Sequence, residues 1–212
     1  MRRIALIGLV AFVGACKQPA PPGLLQEYQS RNLMTCCNIH YETDEVNDAN
    51  YFVGSTIPAG TPVQVQSMTG NSITFTAAGK KLTLVHSYGG NQESMQQYLN
   101  KILVPDDPKA RLATFSRSAQ QAIHDGRVEK GMTREQVIMS LGYPPTHRTA
   151  STSDNEWTYW YNRGVTYKVQ FDNQGIVSNV VGRPAPTQDK PVEPDPTPVP
   201  KPAAHGKSKK HK

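Results

Sequence analysis

The three cysteines are the residues of this chain whose chemistry depends most on their position. Cys16 ends an apolar run that follows Arg2 and Arg3, and the residues directly before it are Val13-Gly14-Ala15. An aliphatic residue, two small residues and a cysteine match the bacterial lipobox, in which the small residues admit a peptidase and the thiol accepts diacylglycerol. The apolar run is too short to cross a bilayer as a helix. We therefore predict a lipoprotein signal peptide at residues 1–15 and lipid attachment at Cys16.

Two other export signals would also explain the first residues. One is an ordinary secretory signal with a chance cysteine, and the other is a twin-arginine signal, which only the arginine pair supports. A lipidated chain lies in the oxidising bacterial envelope and is held stably by two or more acyl chains. Lipoproteins that are retained in the inner membrane carry aspartate directly after the lipidated cysteine, and this chain has Lys17 at that position. We therefore expect the outer membrane, its periplasmic face, and no cofactor beyond the lipid on Cys16.

Cys36 and Cys37 are adjacent, and His40 follows three residues later. These residue types bind zinc and copper, so one hypothesis is a soft-metal site or a thiol redox pair. The interpretation that we favour is a pair of thiols, buried or used between chains, because a bond between neighbouring cysteines requires a strained peptide. The sequence contains no Walker loop, HExxH motif or serine-hydrolase elbow, so we predict no metal site and no catalytic residue.

The basic character of the chain belongs to its C-terminal end. The net charge is +6, but five lysines lie in the last twelve residues, and Arg2 and Arg3 belong to the predicted signal. The remainder is nearly neutral, so the charge does not indicate nucleic-acid binding. Residues 184–212 are rich in proline and are predicted to form a disordered arm with a basic tip. Its candidate contacts with anionic lipid or the cell wall are Lys207, Lys209, Lys210 and Lys212.

The region before the arm divides into a tether and two modules. Residues 16–32 are predicted to be a proline-containing tether, and residues 33–112 a small β-rich module of unknown role. In that module, alternating apolar residues between turn clusters predict three short strands, at 61–66, 73–76 and 81–85. A helical period then predicts a helix over 92–103, and Asp107 before Pro108 predicts the start of another.

Residues 113–183 are predicted to form two helices followed by three strands. Thr133 and Gln136 form a capping box at the start of one helix, and Gly142 ends it. Alternation between turns predicts the strands at 156–161, 165–171 and 176–181. The expected fold class is α+β, with a three-stranded antiparallel sheet that carries two helices on one face, preceded by a small β-meander and helix.

The two faces of the first of these strands differ in their expected roles. Trp157, Tyr159 and Tyr161 share one face, which we expect to be buried, while Trp160 lies on the other. Aromatic residues and arginine are common in protein-binding hot spots, so Trp160 and Arg163 are the candidate partner-binding residues. Packing is the stronger expectation for Trp160, since one strand face must be buried in any case.

This second module resembles the SmpA/OmlA, or BamE-like, family of small outer-membrane lipoproteins. The resemblance covers residues 127–182 and depends on a helix start, a helix end, an aromatic strand and a hairpin. These motifs are Gly131-Met132-Thr133, Gln136-Val137, Leu141-Gly142, Pro144, Trp157–Tyr161, Phe171 and Gly175-Ile176-Val177. It implies an α-α-β-β-β fold and a non-catalytic role with the machinery that folds and inserts outer-membrane β-barrel proteins. The chain departs from the family by an additional module of about eighty residues before this domain.

These observations together predict an outer-membrane lipoprotein that acts as an adaptor in β-barrel protein assembly and envelope integrity. The expected partners are the membrane, through the lipid, and a protein of the assembly machinery. The alternative is a structural tether between outer membrane and cell wall through the arm. An envelope enzyme or metal-handling protein centred on Cys36–His40 is the third hypothesis.

Overall fold

The computed structural model describes residues 19–86 and 93–184, which form two modules with separate hydrophobic cores. The helices are α1 (Leu24–Ser30), α2 (Met95–Ile102), α3 (Pro108–Leu112), α4 (Arg117–His124) and α5 (Arg134–Leu141). The strands are β1 (Leu33–Thr35), β2 (Ile39–Tyr41), β3 (Glu45–Asn47), β4 (Ser55–Ile57), β5 (Pro62–Met68), β6 (Ser72–Ala77), β7 (Lys80–Val85), β8 (Leu103–Val104), β9 (Glu156–Asn162), β10 (Val165–Phe171) and β11 (Val177–Val181). Within the two described ranges, no helix is long and apolar enough to span a bilayer.

The N-terminal module is a six-stranded sheet in the order β3-β7-β6-β5-β1-β8. The predicted meander is confirmed as β5, β6 and β7, which pair antiparallel in sequence order. The meander is nevertheless only half of the sheet, because β1 and β8 extend it on one side and β3 pairs parallel to β7 on the other. These added strands have two or three residues, which is too short to show a period in the sequence.

The predicted tether is partly wrong, because α1 lies within it. Leu24 and Tyr28 on this helix are buried in the N-terminal core. Tyr28 Oη donates a hydrogen bond to Asn100 Oδ1 at 2.8 Å, and Gln29 Nε2 donates one to Val65 O at 3.2 Å. A helix of seven residues gives too little pattern to predict, but burial of Leu24 and Tyr28 stabilises it here.

The starts of two helices are set by local side-chain hydrogen bonds. The Ser94 side chain accepts from the amide of Gln97, and the Gln97 side chain accepts from the amide of Ser94, so α2 begins at Met95, inside the predicted range. Asp107 caps α3 as predicted, since its carboxylate accepts from the Lys109 amide at 2.9 Å.

A buried charged pair lies at the end of the six-stranded sheet. His86 Nδ1 lies 2.7 Å from Asp48 Oδ2, and His86 Nε2 lies 2.8 Å from the backbone oxygen of Glu93. The imidazole also stacks on Tyr98, with ring centroids 4.4 Å apart. Burial opposes a charge on His86, but the hydrogen bonds to Asp48 and to the Glu93 carbonyl outweigh it, so the pKa of His86 is raised.

This pair predicts a pH-dependent contribution to stability. Because the folded-state pKa of His86 lies above the unfolded value, the contribution is complete below about pH 6.5 and is lost as the pH rises through the folded pKa. We expect Asp48→Asn to destabilise the protein more at pH 6 than at pH 9, measured by urea unfolding. A free-energy difference that is the same at both pH values would contradict this assignment.

The C-terminal module has the predicted α-α-β-β-β arrangement, with α4 and α5 packed against the sheet β11-β10-β9. The capping box of Thr133 and Gln136 is confirmed, and Gly142 ends α5 with a φ of 78°, in the region that favours glycine. Trp157 and Tyr159 are buried in the core, and Tyr161 is partly buried against it, as expected for their shared face.

Candidate functional site at the junction of the two modules

The two modules are joined by a buried amide, Asn38. Its Nδ2 donates hydrogen bonds to Ile123 O at 2.7 Å and to Ser140 O at 3.1 Å, at the ends of α4 and α5. Its Oδ1 accepts from the amide of Ala59 at 3.1 Å, and its own amide donates to Met139 O at 3.0 Å. Asn38 is only 2% exposed, so these bonds form without competition from water. One side chain thus connects both modules.

A second amide, Asn50, repeats this connection beside the first. Its Nδ2 donates to Leu141 O at 2.8 Å and to Asn38 O at 3.1 Å, while its Oδ1 accepts from the amide of His40 at 2.8 Å. The last carbonyls of α5 therefore find their partners on the other module. Gly142 is required beside this contact, because a Cβ atom there would lie 2.8 Å from Asn50 Nδ2.

Aromatic packing crosses the junction in both directions. Phe52 of the N-terminal module packs against the C-terminal core, and Tyr143 packs against the N-terminal core. The Arg183 guanidinium lies 4.7 Å from the Phe52 ring centroid and 5.6 Å from that of Tyr167. These exchanges bury apolar surface from both sides, so the junction is a packed interface.

The predicted free thiols are wrong, because Cys36 and Cys37 form a disulfide with each other. The short segment that holds them is fixed from both ends: the Cys36 amide donates to Ile102 O at 2.9 Å, and Asn38 follows directly. The two sulfur atoms are bonded to each other. Among residues 19–86 and 93–184, no group of three His, Cys, Asp or Glu side chains is placed so that it could hold a metal ion.

His40, the third residue of that hypothesis, is buried at the junction. Its Nδ1 lies 3.1 Å from Thr56 Oγ1, and its ring meets the edge of Phe52 at 5.0 Å. Gly126 lies against both rings, since a Cβ atom there would come within 2.7 Å of Phe52 Cε2 and 3.0 Å of His40 Cε1. Burial, together with the nearby charge of Arg183, lowers the pKa of His40 to about 4.

The lowered pKa of His40 predicts that acid weakens the junction. Its imidazole stays neutral in the folded chain but takes up a proton below about pH 6.5 when unfolded, so stability falls with pH from there towards pH 4. Between pH 7 and pH 5 we expect the wild type to lose about 2 kcal/mol more than His40→Asn does. Urea unfolding of both proteins at the two pH values measures this difference, and parallel losses would contradict it.

Trp160 lies at the outer end of the same junction. It is half-buried, with Tyr51 of the N-terminal module edge-on to its ring at 6.4 Å and the Arg148 guanidinium 5.3 Å from its centroid. The N-terminal module therefore covers part of the sheet face that is opposite to the buried face of Trp157 and Tyr159. Trp160 packs within this chain, in agreement with the stronger expectation.

Arg163 is exposed in the turn between β9 and β10, next to Gly164 and Val165. It lines a small cavity of about 50 Å³ together with Glu42 and Glu45 of the N-terminal module. Trp160 and Arg163 thus belong to one surface, which runs from the covered end of the sheet to the hairpin turn. We call residues 160–165 the hairpin end.

Several predicted sites lie outside the described residues. These are the signal peptide, Cys16, most of the arm, and Lys207, Lys209, Lys210 and Lys212. Sequence reasoning missed Asn38, Asn50 and Phe52, the residues that join the modules. The stretch around Asn50 consists of turn-forming and acidic residues, so its local pattern is that of a solvated loop.

Comparison with known proteins finds a family match for one part of the chain. Residues 126–181 match the family model described as the outer membrane protein assembly factor BamE domain. This confirms the resemblance predicted for residues 127–182. The matched segment begins just before Arg127 and ends in β11, so it contains α5 and the three-stranded sheet but not α4. No curated protein and no solved structure shows a significant match to the chain.

Proposed function

We propose that this BamE-domain chain is an outer-membrane lipoprotein that acts as a non-catalytic adaptor in the assembly of outer-membrane β-barrel proteins. The single observation that carries the proposal is the match of residues 126–181 to an assembly-factor domain. The fold supports it, because α4 directly before the matched segment, with α5 and the three strands inside it, completes the α-α-β-β-β arrangement that the family resemblance implies.

The lipobox supports the same role independently of the domain. A lipid on Cys16 would hold the folded modules next to the membrane in which the barrels are inserted. Residues 17 and 18 and the first described residues form only a short connection, since α1 begins at Leu24 and packs on the N-terminal core. The modules would therefore remain close to the periplasmic face of the outer membrane.

The hairpin end is the proposed contact with the assembly machinery. Arg163 is exposed there, and the neighbouring Val165 is one of two large hydrophobic side chains that the described residues expose to this degree. A guanidinium beside an apolar side chain on a rigid turn is a common anchor in protein interfaces. Tyr51 and Arg148 hold Trp160 behind this turn, so its orientation is fixed before binding.

The proposal is tested by affinity purification of the full-length chain, tagged after Lys212, from solubilised outer membranes. We expect subunits of the β-barrel assembly machinery to be recovered with the wild type. Arg163→Glu should reduce their recovery about tenfold, as expected for a hot-spot residue. Arg117→Glu is the matched control, because Arg117 is an exposed arginine on α4, away from the hairpin end.

The results separate the adaptor from the tether. Recovery of assembly subunits that is lost with Arg163→Glu but kept with Arg117→Glu supports both the adaptor role and its contact. If neither variant reduces the recovery of assembly subunits, the hairpin end is the wrong surface. Recovery of cell-wall fragments without assembly subunits would overturn the adaptor proposal and favour the tether, which the lysine-rich tip of the arm suggests.

A further inference from the structure

A groove of about 440 Å³ lies beside the junction, where strand β8 and the start of α3 meet helix α5. Apolar side chains line it from both sides: Val104 from β8, and Ile138 and Met139 from α5, next to Cys36 of the disulfide. Its volume falls in the range of ligand-binding clefts. Val104 and Cys36 lie outside the matched BamE domain, so the groove exists only where both modules are present.

The charges around the groove are unbalanced. Arg111 and Glu135 neutralise each other through a bidentate ion pair, with Nε–Oε1 and Nη2–Oε2 distances of 2.9 and 2.8 Å. Asp106 and Asp107 are both exposed, and neither forms an ion pair with any residue of the described ranges. Two carboxylates without an ion-pair partner in the described ranges thus lie beside an apolar floor, although Asp107 also caps α3. The complementary occupant carries an aliphatic side chain next to a cation.

We propose that Val199-Pro200-Lys201-Pro202 of the chain's own arm occupies this groove. The segment lies outside the described residues, and it has the required chemistry: an aliphatic residue, a lysine and two prolines. Proline-containing segments dock onto apolar grooves at low entropic cost, because their backbone is already restricted. Val199 contacts the floor formed by Val104 and Ile138, and Lys201 pairs with Asp106 and Asp107.

The arm is long enough for this contact. Val199 is the fifteenth residue after Pro184, the last described residue. At about 3.1 Å per residue this stretch spans up to about 45 Å. A folded part of this size has a radius of gyration of about 15 Å, so a large part of its surface is within reach of this span. A covalent connection of this length also gives an effective concentration on the order of millimolar, which makes a weak contact sufficient.

Three exposed acids of the N-terminal module fit this segment less well. Asp44 is paired with Lys80 at 2.7 Å. Glu42 and Glu45 border the cavity of about 50 Å³, which is too small for a valine and a proline side chain. The groove therefore combines uncompensated acids with enough apolar volume for the segment.

The proposal is tested on the full-length chain by zero-length carbodiimide cross-linking, which joins lysines to carboxylates that touch. At low salt and low protein concentration, we expect Lys201 to be linked to Asp106 or Asp107 within one chain. Salt at 0.5 M should suppress the product, because it screens the charge pair. Val199→Ser and Ile138→Ser should each lower the yield about fivefold or more, since each removes an apolar partner but no reactive group.

Controls separate docking from unfolding and from non-specific attraction. Val181→Ser, on an exposed strand away from the groove, should leave the yield unchanged. Val199 lies outside the described fold, so Val199→Ser tests the contact even if Ile138→Ser lowers the melting temperature. Three results would overturn the proposal. The links could be spread evenly over exposed acids such as Asp172, or their yield could be insensitive to Val199→Ser. In a mixture of isotopically labelled and unlabelled protein, links could also form only between different chains. None of these depends on the assembly role.

Discussion

Replacement of Asn38 by alanine is expected to lower the free energy of unfolding by about 3 kcal/mol. The reason is that the side-chain oxygen accepts from a buried donor, the Ala59 amide, and the side-chain nitrogen donates to Ser140 O at the end of α5. Ile123 O loses one donor but keeps the amide of Gly126 at 3.0 Å, so it contributes less. Buried polar groups without partners are among the few causes of losses this large.

Differential scanning calorimetry measures this effect directly. For a chain of this size, about 3 kcal/mol corresponds to a decrease in melting temperature of roughly 6 to 12 °C. Asn38→Asp should be at least as harmful, because its carboxylate would face the carbonyl oxygens of Ile123 and Ser140. Asn179→Ala is the matched control, since Asn179 is exposed and should change stability by less than about 0.5 kcal/mol. Equal effects at positions 38 and 179 would contradict the role of Asn38.

The second large effect is expected at Trp157, whose replacement by alanine should cost about 3 to 5 kcal/mol. The indole is 0% exposed, packs against Phe171 with ring centroids 4.6 Å apart, and lies 5.6 Å from the Arg134 guanidinium. Alanine would leave a cavity at the centre of the C-terminal core, where the rigid sheet and α5 limit collapse. The N-terminal core does not include this residue, so it should be less affected.

Trp160→Ala provides the comparison for this prediction, because the same residue type lies three positions away on the opposite face of the strand. Trp160 is half-buried among Tyr51, His147 and Arg148, so we expect a loss of only about 1 kcal/mol. Circular dichroism or calorimetry is the suitable probe, since each variant removes a fluorophore. A larger loss at Trp160 than at Trp157 would reverse the assignment of the two strand faces.

Both predictions bear on how the modules act together. Asn38 belongs to the N-terminal module but completes the hydrogen bonding of α4 and α5, while Phe52 and Tyr143 pack across the junction. Amide hydrogen exchange after Asn38→Ala should therefore show faster exchange at the ends of α4 and α5. The additional module is in this respect a structural support for the BamE domain.

The differences between the predicted and the observed elements share one physical cause. The sequence predicts tether at α1 and free thiols at Cys36 and Cys37, and it predicts no strand at β1 to β4 or at β8. The elements concerned have two to seven residues and little periodicity. Strand β1 exists because β5 and β8 supply its hydrogen bonds from far along the chain. Only long-range pairing distinguishes such segments from loops.

The sequence by itself determined the features that depend on neighbours in the chain. The capping box at Thr133, the turn at Gly142, the buried face of Trp157 and the three C-terminal strands follow from spacing, since caps and strand faces repeat over a few residues. Only the tertiary structure decided which residues from distant segments meet. It brings Asn38 to the ends of two helices and Tyr51 to the ring of Trp160. Such contacts depend on the packing of two modules, and no local pattern carries that information.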